Sequence, residues 1–149
     1  GFDLLEDKAQ AVYQRCQEQG LLIYFHSGGD LAYPGSFRTS TERVLEILHN
    51  FPKLQLILAH LGAFRMWDEV YRDLCRTSAC FDISFAHSYV NGNLFLKILN
   101  KHGSEKILFG SDCPWQSAKD TYDYLKSFNL PQEDFELICS GNANRIFGI

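Results

Sequence analysis

LLIYFHSGGD, residues 21–30, is the stretch on which the fold turns. Five apolar residues in a row, Leu21 to Phe25, suit a parallel strand that helices cover on both faces or that lines a barrel. The run ends at His26, and Ser27-Gly28-Gly29-Asp30, with Pro34-Gly35 beyond, breaks regular structure. The strand therefore empties into a loop of about a dozen residues, a length usually tied to function.

Outward from this stretch the same grammar recurs. Upstream, Glu6 to Gln19 places Ala9, Val12, Tyr13 and Cys16 at helical spacing, and Gly20 stands where a left-handed C-cap belongs. Downstream, Ser40 or Thr41 caps a helix through Val44, Leu45, Ile47 and Leu48 that stops near Pro52. Leu54 to Ala59 is a second buried-type strand, ending at His60 and released by Gly62. A helix is predicted over Phe64 to Arg76, with Trp67, Val70, Tyr71 and Leu74 on one side. A third strand follows over Cys80 to Phe85 and leads to Ala86-His87-Ser88. Val90 to Lys101 reads as a helix closed by His102-Gly103, and Lys106 to Phe109 as a fourth strand running into Gly110-Ser111-Asp112-Cys113-Pro114-Trp115. From Ser117 onward the chain reads as helices broken at Pro131 and ending in Asn142-Ala143-Asn144-Arg145-Ile146-Phe147. Strands recurring at roughly 30 residues have the size of βαβ units, so the sheet is expected to be parallel and residues 1–149 to form one α/β domain.

In a parallel sheet every strand points the same way, so residues at different strand ends gather on one face. His26, His60 and Asp112 qualify. Two imidazoles and a carboxylate suit zinc or a similar divalent ion such as manganese, with an open position for water. The ion lowers that water's pKa, Asp112 takes its proton, and His60 polarises a carbonyl. Each residue alone has a plainer reading: a strand-end histidine is commonly a hydrogen-bonded structural group, and Asp112 can cap the next helix. Their coincidence on one face favours a site. His87, just past the third strand, and Trp115 are placed at the mouth as substrate contacts; His87 is equally compatible with solvent. His49 and His102 lie at helix ends and read as C-terminal dipole partners.

Composition narrows the classes. With 149 residues, 46% hydrophobic and 21% charged, and a net charge of −4, the chain has material for one core and no basic field for nucleic acid. Its longest apolar stretch is far short of a bilayer span, and no export signal is visible. Five widely spaced cysteines without a CxxC pair read as free thiols in a reducing cytoplasm. A doubly wound nucleotide-binding sheet is the structural alternative, but no GxGxxG or GxxxxGK[ST] follows any strand.

The stretches LLIYFHSGGD, LQLILAHLGAF, KILFGSDCPW and GNANRIFGI resemble the later strands and terminal helix of the amidohydrolase superfamily, specifically the amidohydrolase-2 group of metal-dependent TIM-barrel hydrolases. The resemblance implies the C-terminal half of a (β/α)8 barrel. It implies a metal-ligating histidine at His26, a histidine near metal or substrate at His60, and an aspartate at Asp112 that is both ligand and proton acceptor. The group's first strand carries a His-x-His pair, and these 149 residues contain none. A truncated or partial enzyme is therefore expected, and a homodimer would restore an eight-stranded ring. Three functions stay open: hydrolysis of a small carbonyl substrate by metal-activated water, metal-dependent non-oxidative decarboxylation, and an inert half-barrel whose histidines are inherited.

Overall fold

A computed structural model describes residues 3–33, 35, 37 and 39–149; of the expected long loop, Pro34, Ser36 and Arg38 lie outside it. Helix α1 spans Asp7–Gln19 and closes on Gly20 at φ 64, with Leu21 N–H reaching back to Cys16 O. Its buried face carries Ala9 and Tyr13, whereas Val12 turns to solvent. Tyr13 packs edge-on to Phe25 and Phe51 and donates its hydroxyl to Leu4 O at 2.9 Å. Burial pushes that hydroxyl's pKa up to about 12.

Strands β1 (Leu22–Phe25), β2 (Gln55–Leu58), β3 (Cys80–Asp82) and β4 (Ile107–Leu108) form one sheet in the order β1-β2-β3-β4, every pair parallel. The registers run from Leu22↔Gln55 to Phe25↔Leu58, then Ile57↔Cys80 and Phe81↔Ile107. All four strand ends therefore open on one side, as the sequence pattern requires. The strands are shorter than expected, and β1, an outer strand, leaves Tyr24 half-exposed rather than buried on both faces. Helices α2 (Thr41–Asn50) and α4 (Gly92–His102) lie in the crossovers, and β2, β3 and β4 supply the fully buried Leu58, Phe81 and Ile107.

Two segments depart from the expected helices. Only Trp67–Glu69 (α3) is α-helical within Phe64–Arg76; Val70–Leu74 widens into a π turn in which Cys75 N–H reaches Val70 O at 3.0 Å. The start is delayed because Ala63 to Met66 make a turn with Arg65 at φ 59, which brings the Trp67 indole N–H onto His60 O at 3.0 Å. His102 ends α4 as expected, but it carries no charge for the helix dipole. It is buried, stacked on Phe81 at 3.9 Å, and bonded to Arg76 N–H and Ala79 O, and burial lowers its pKa to about 4.

The final elements, α5 (Ala118–Ser127), α6 (Gln132–Glu136), a π turn over Leu137–Gly141 and α7 (Asn142–Phe147), fasten β4. Fully buried Asn142 donates to Ser104 O and Ile107 O, each at 2.7 Å. Asn142→Ala leaves two carbonyls unmatched and is expected to cost about 2 kcal/mol. Arg145→Ala, which removes a bond to Glu105 O on an exposed side, should cost under about 1 kcal/mol; urea unfolding of the two variants checks the difference. Among the described residues no helix is long and apolar enough to cross a membrane.

Candidate functional site

Three strand exits turn through a conformation that side chains rarely adopt: His60 has φ 61, Phe85 φ 52 and Asp112 φ 63. Such strain persists only where neighbours over-determine it. At His60 they do. Its N–H donates to Asp82 Oδ1 at 2.9 Å, the next N–H, of Leu61, donates to Asp82 O at 2.6 Å, and its carbonyl accepts from Trp67. The chain thus folds back on β3, and the imidazole stays in the mouth beside His26.

His26 is held from its own loop. Gly28 pairs with Thr39 on one side and Phe64 on the other, and Gly29 N–H donates to Phe64 O at 2.9 Å. Gly29 O then meets His26 Nε2 at 3.1 Å. On the other ring, His60 Nδ1 meets Ser84 O at 3.0 Å, and between the rings His60 Nε2 stands 3.0 Å from His26 Nδ1. Carbonyl oxygens only accept, so His60 Nδ1 and His26 Nε2 are the N–H donors in the neutral rings, an assignment made from their partners. The two remaining nitrogens are then bare and face one another. Lone pairs at that distance repel unless a proton or a cation joins them.

The electrostatics agree with neutral imidazole at His60. Burial, the largest influence, lowers its pKa; the Ser84 bond opposes it, His26 lowers it further, and Asp112 and Asp30 raise it. Asp82, almost wholly buried, has its pKa raised chiefly by that burial, against the hydrogen bonds it accepts from Ser84 and His60.

A cavity of about 380 Å³ opens over the pair, and its lining includes His26, His60, Asp112 and Trp115 together with Asp30, Phe64 and Phe85. Four of the five residues singled out from sequence therefore share one wall. His87 stands apart from this lining, its ring tilted against Tyr124 and its Nδ1 buried without a hydrogen-bond partner. Sequence reasoning missed Asp30, Asp82 and Ser84. A carboxylate inside the apolar run Cys80 to Phe85 was the available signal for Asp82, since a buried charge needs dedicated partners.

The donor chemistry suits a divalent ion: two imidazole nitrogens bared toward each other, with carboxylates on the same cavity wall. Among the described residues no three His, Cys, Asp or Glu side chains converge closely enough to hold an ion alone. His26 is the preformed ligand, with the bare nitrogen of His60 beside it. Asp112 is exposed on its loop in the same cavity lining and would complete a partial ligand set.

Comparisons with known proteins bear on the family and the fold. A family model described as Amidohydrolase matches residues 1–149. Among solved structures, an uncharacterised TIM-barrel protein from Bordetella bronchiseptica superposes with TM-score 0.78 at 19% identity, over 99% of this chain and 52% of that one. A 5-carboxyvanillate decarboxylase from Novosphingobium aromaticivorans, complexed with manganese and 4-hydroxy-3-methoxy-5-nitrobenzoic acid, gives 0.76 at 14% identity, over 100% and 54%. A 2,6-dihydroxybenzoate decarboxylase from Rhizobium gives 0.71 at 15% identity, over 99% and 57%. No curated protein matches the chain. The chain thus spans about half the length of these structures, and its four parallel strands with their helices are half of a barrel.

Proposed function

Because the chain belongs to the amidohydrolase family, we propose that it carries a divalent-metal site of a barrel enzyme acting on a small aromatic or conjugated carboxylic acid. His26 and Asp112 are the ligands, and His60, expected from sequence both as ligand and as catalytic group, is given the second role. One observation carries this reading: the bare nitrogens of His26 and His60 meet at 3.0 Å in a cavity walled by Phe64, Phe85 and Trp115. Manganese is the ion to test first, since it accompanies a decarboxylase of the same fold; the zinc expected from sequence has no such support.

When bound, the ion would polarise the substrate's oxygens or acidify a water. In decarboxylation the carbon–carbon bond to the carboxylate breaks, CO2 leaves, and the ring carbon keeps the electron pair and takes a proton. His60 Nε2, bare at rest, first takes a proton from the entering acid's own hydroxyl, which solvent later replaces, and then delivers it to that carbon, since burial makes the proton once taken easy to surrender. Phe64 and Phe85 hold the flat ring and exclude water. Hydrolysis by an ion-activated water, the reaction expected first from sequence, draws on the same residues, and the exposed Asp112 beside the cavity favours it as the second reading.

The test is elemental analysis and manganese titration of protein purified without chelator or affinity metal. Near-stoichiometric manganese is expected, weakened about 100-fold or more in His26→Ala and Asp112→Ala, because losing a ligand should exceed the 10–100-fold typical of second-shell loss. His49, exposed in the last turn of α2, should be replaceable by alanine without effect. With the loaded chain, CO2 released from 2,6-dihydroxybenzoate supports decarboxylation, and hydrolysis of an amide or lactone without CO2 supports the second reading. Equal binding by wild type and both variants, or none in any, overturns the site.

A further inference from the structure

The Asp82 carboxylate and Ser84 form one buried hydrogen-bonded cluster beneath His60. Asp82 Oδ1 accepts three donors, His60 N–H at 2.9 Å, Ser84 N–H at 2.8 Å and the Ser84 hydroxyl at 2.7 Å. Ser84 in turn offers its carbonyl to His60 Nδ1 at 3.0 Å, with its hydroxyl 3.2 Å from the same nitrogen. One buried carboxylate oxygen therefore holds both ends of the histidine, its left-handed backbone directly and its ring through Ser84. The other oxygen, Oδ2, is buried without a partner and lies against Gly110, where a Cβ would meet Ser84 Cβ at 3.2 Å and Asp82 Oδ2 at 3.4 Å. Gly110, just past β4, brings no side chain to this end of the carboxylate.

We propose that Asp82 and Ser84 are positioning residues that commit His60 to the Nδ1–H tautomer, so that the site presents a bare Nε2 acceptor to whatever enters. The Ser84 hydroxyl gives its proton to Asp82, the stronger acceptor, and so cannot donate to Nδ1; it can only accept there beside the carbonyl. Both groups near Nδ1 then demand an N–H, and the neutral ring has one proton to give. The specificity that follows is chemical: at His60 the site takes a ligand group that donates, a hydroxyl or a water, and rejects one that only accepts. The inference rests on the role given to His60 above, but its test needs neither metal nor turnover.

The test is a two-dimensional proton–nitrogen correlation spectrum of the chelator-treated, 15N-histidine-labelled 149-residue chain at pH 7.5, with His60 assigned by its loss in His60→Gln. A pyrrole-type nitrogen at Nδ1 and a pyridine-type nitrogen at Nε2 are expected in the wild type. Asp82→Ala should shift His60 toward the Nε2–H form, the one favoured by an unconstrained histidine side chain, while Asp82→Asn, which keeps an acceptor oxygen at Oδ1, should restore the Nδ1–H pattern. A protonated Nε2 in the wild-type chain overturns the proposal outright, whether or not any variant folds. So does a folded Asp82→Ala chain, judged by near-ultraviolet circular dichroism, whose His60 nitrogens are unchanged. A chain that shows the expected tautomer and binds no manganese keeps this inference and loses the metal reading; the reverse result does the opposite.

Discussion

Gly28→Ala is expected to lose about 3 kcal/mol or more of folding free energy, the largest effect of any single glycine replacement among the described residues. The backbone there sits at φ 86, which alone costs a side chain roughly 1 kcal/mol. The added methyl would also stand 2.6 Å from the Ala63 carbonyl carbon and against the backbone N and O of Phe64. All three of these nearest atoms are backbone, so no flexible neighbour can yield and the Gly28–Phe64 bridge must open. Gly20→Ala is the control: φ is 64 there too, but nothing lies within 4 Å of a Cβ, so only the conformational cost of about 1 kcal/mol applies. Urea midpoints at unchanged slope measure both. Equal losses would mean that the close approach of the two loops contributes nothing. Because Gly29 O anchors His26 Nε2, the Gly28 variant should also release that ring and weaken metal binding.

The second large effect is on pH. His102 is neutral and buried, with its pKa lowered from 6.5 to about 4, whereas in the unfolded chain it titrates near the ordinary value. Between those values the unfolded state binds the extra proton, so stability must rise with pH. The contribution is fully present above pH 6.5 and is lost as pH falls toward 4, by about 3 kcal/mol between pH 7.5 and 4. His60, also lowered, adds in the same direction; buried Asp82, raised, opposes both. His102→Gln isolates the first term. It should be less stable than wild type at pH 7.5, yet lose markedly less on acidification. Parallel stability curves for the two proteins from pH 7.5 to 4 would remove His102 as the cause.

Much of the architecture was legible because parallel βα units leave a periodic trace. Leu21 to Phe25, Leu54 to Ala59, Cys80 to Phe85 and Lys106 to Phe109 are mostly apolar runs separated by helical stretches, so their number, direction and common end could be read without any contact being known. The gathering of His26, His60 and Asp112 on one cavity wall follows from that direction alone. What could not be read depends on partners distant in sequence. His60 leaves the strand through φ 61 only because Asp82 accepts its N–H, and nothing near His60 announces that. His102 looks like a cation on a helix end until Phe81 is seen stacked on it. The helix expected from Phe64 starts late because Trp67 must reach the His60 carbonyl, a demand set across space. His87 shows the limit of reading position alone, since it lies five residues past the end of β3 and turns toward Tyr124.

The sequential strand order has a kinetic meaning. Each strand pairs only with the one before or after it in the chain, so no pairing has to close a loop longer than one helical crossover. Loop closure is the slow, entropically costly part of assembling a parallel sheet, and here it comes in similar short instalments. The sheet can therefore grow by accretion, each unit docking on an already formed neighbour. The slowest-exchanging backbone amides should lie in β2 and β3, the strands flanked on both sides, with β1 and β4 opening first.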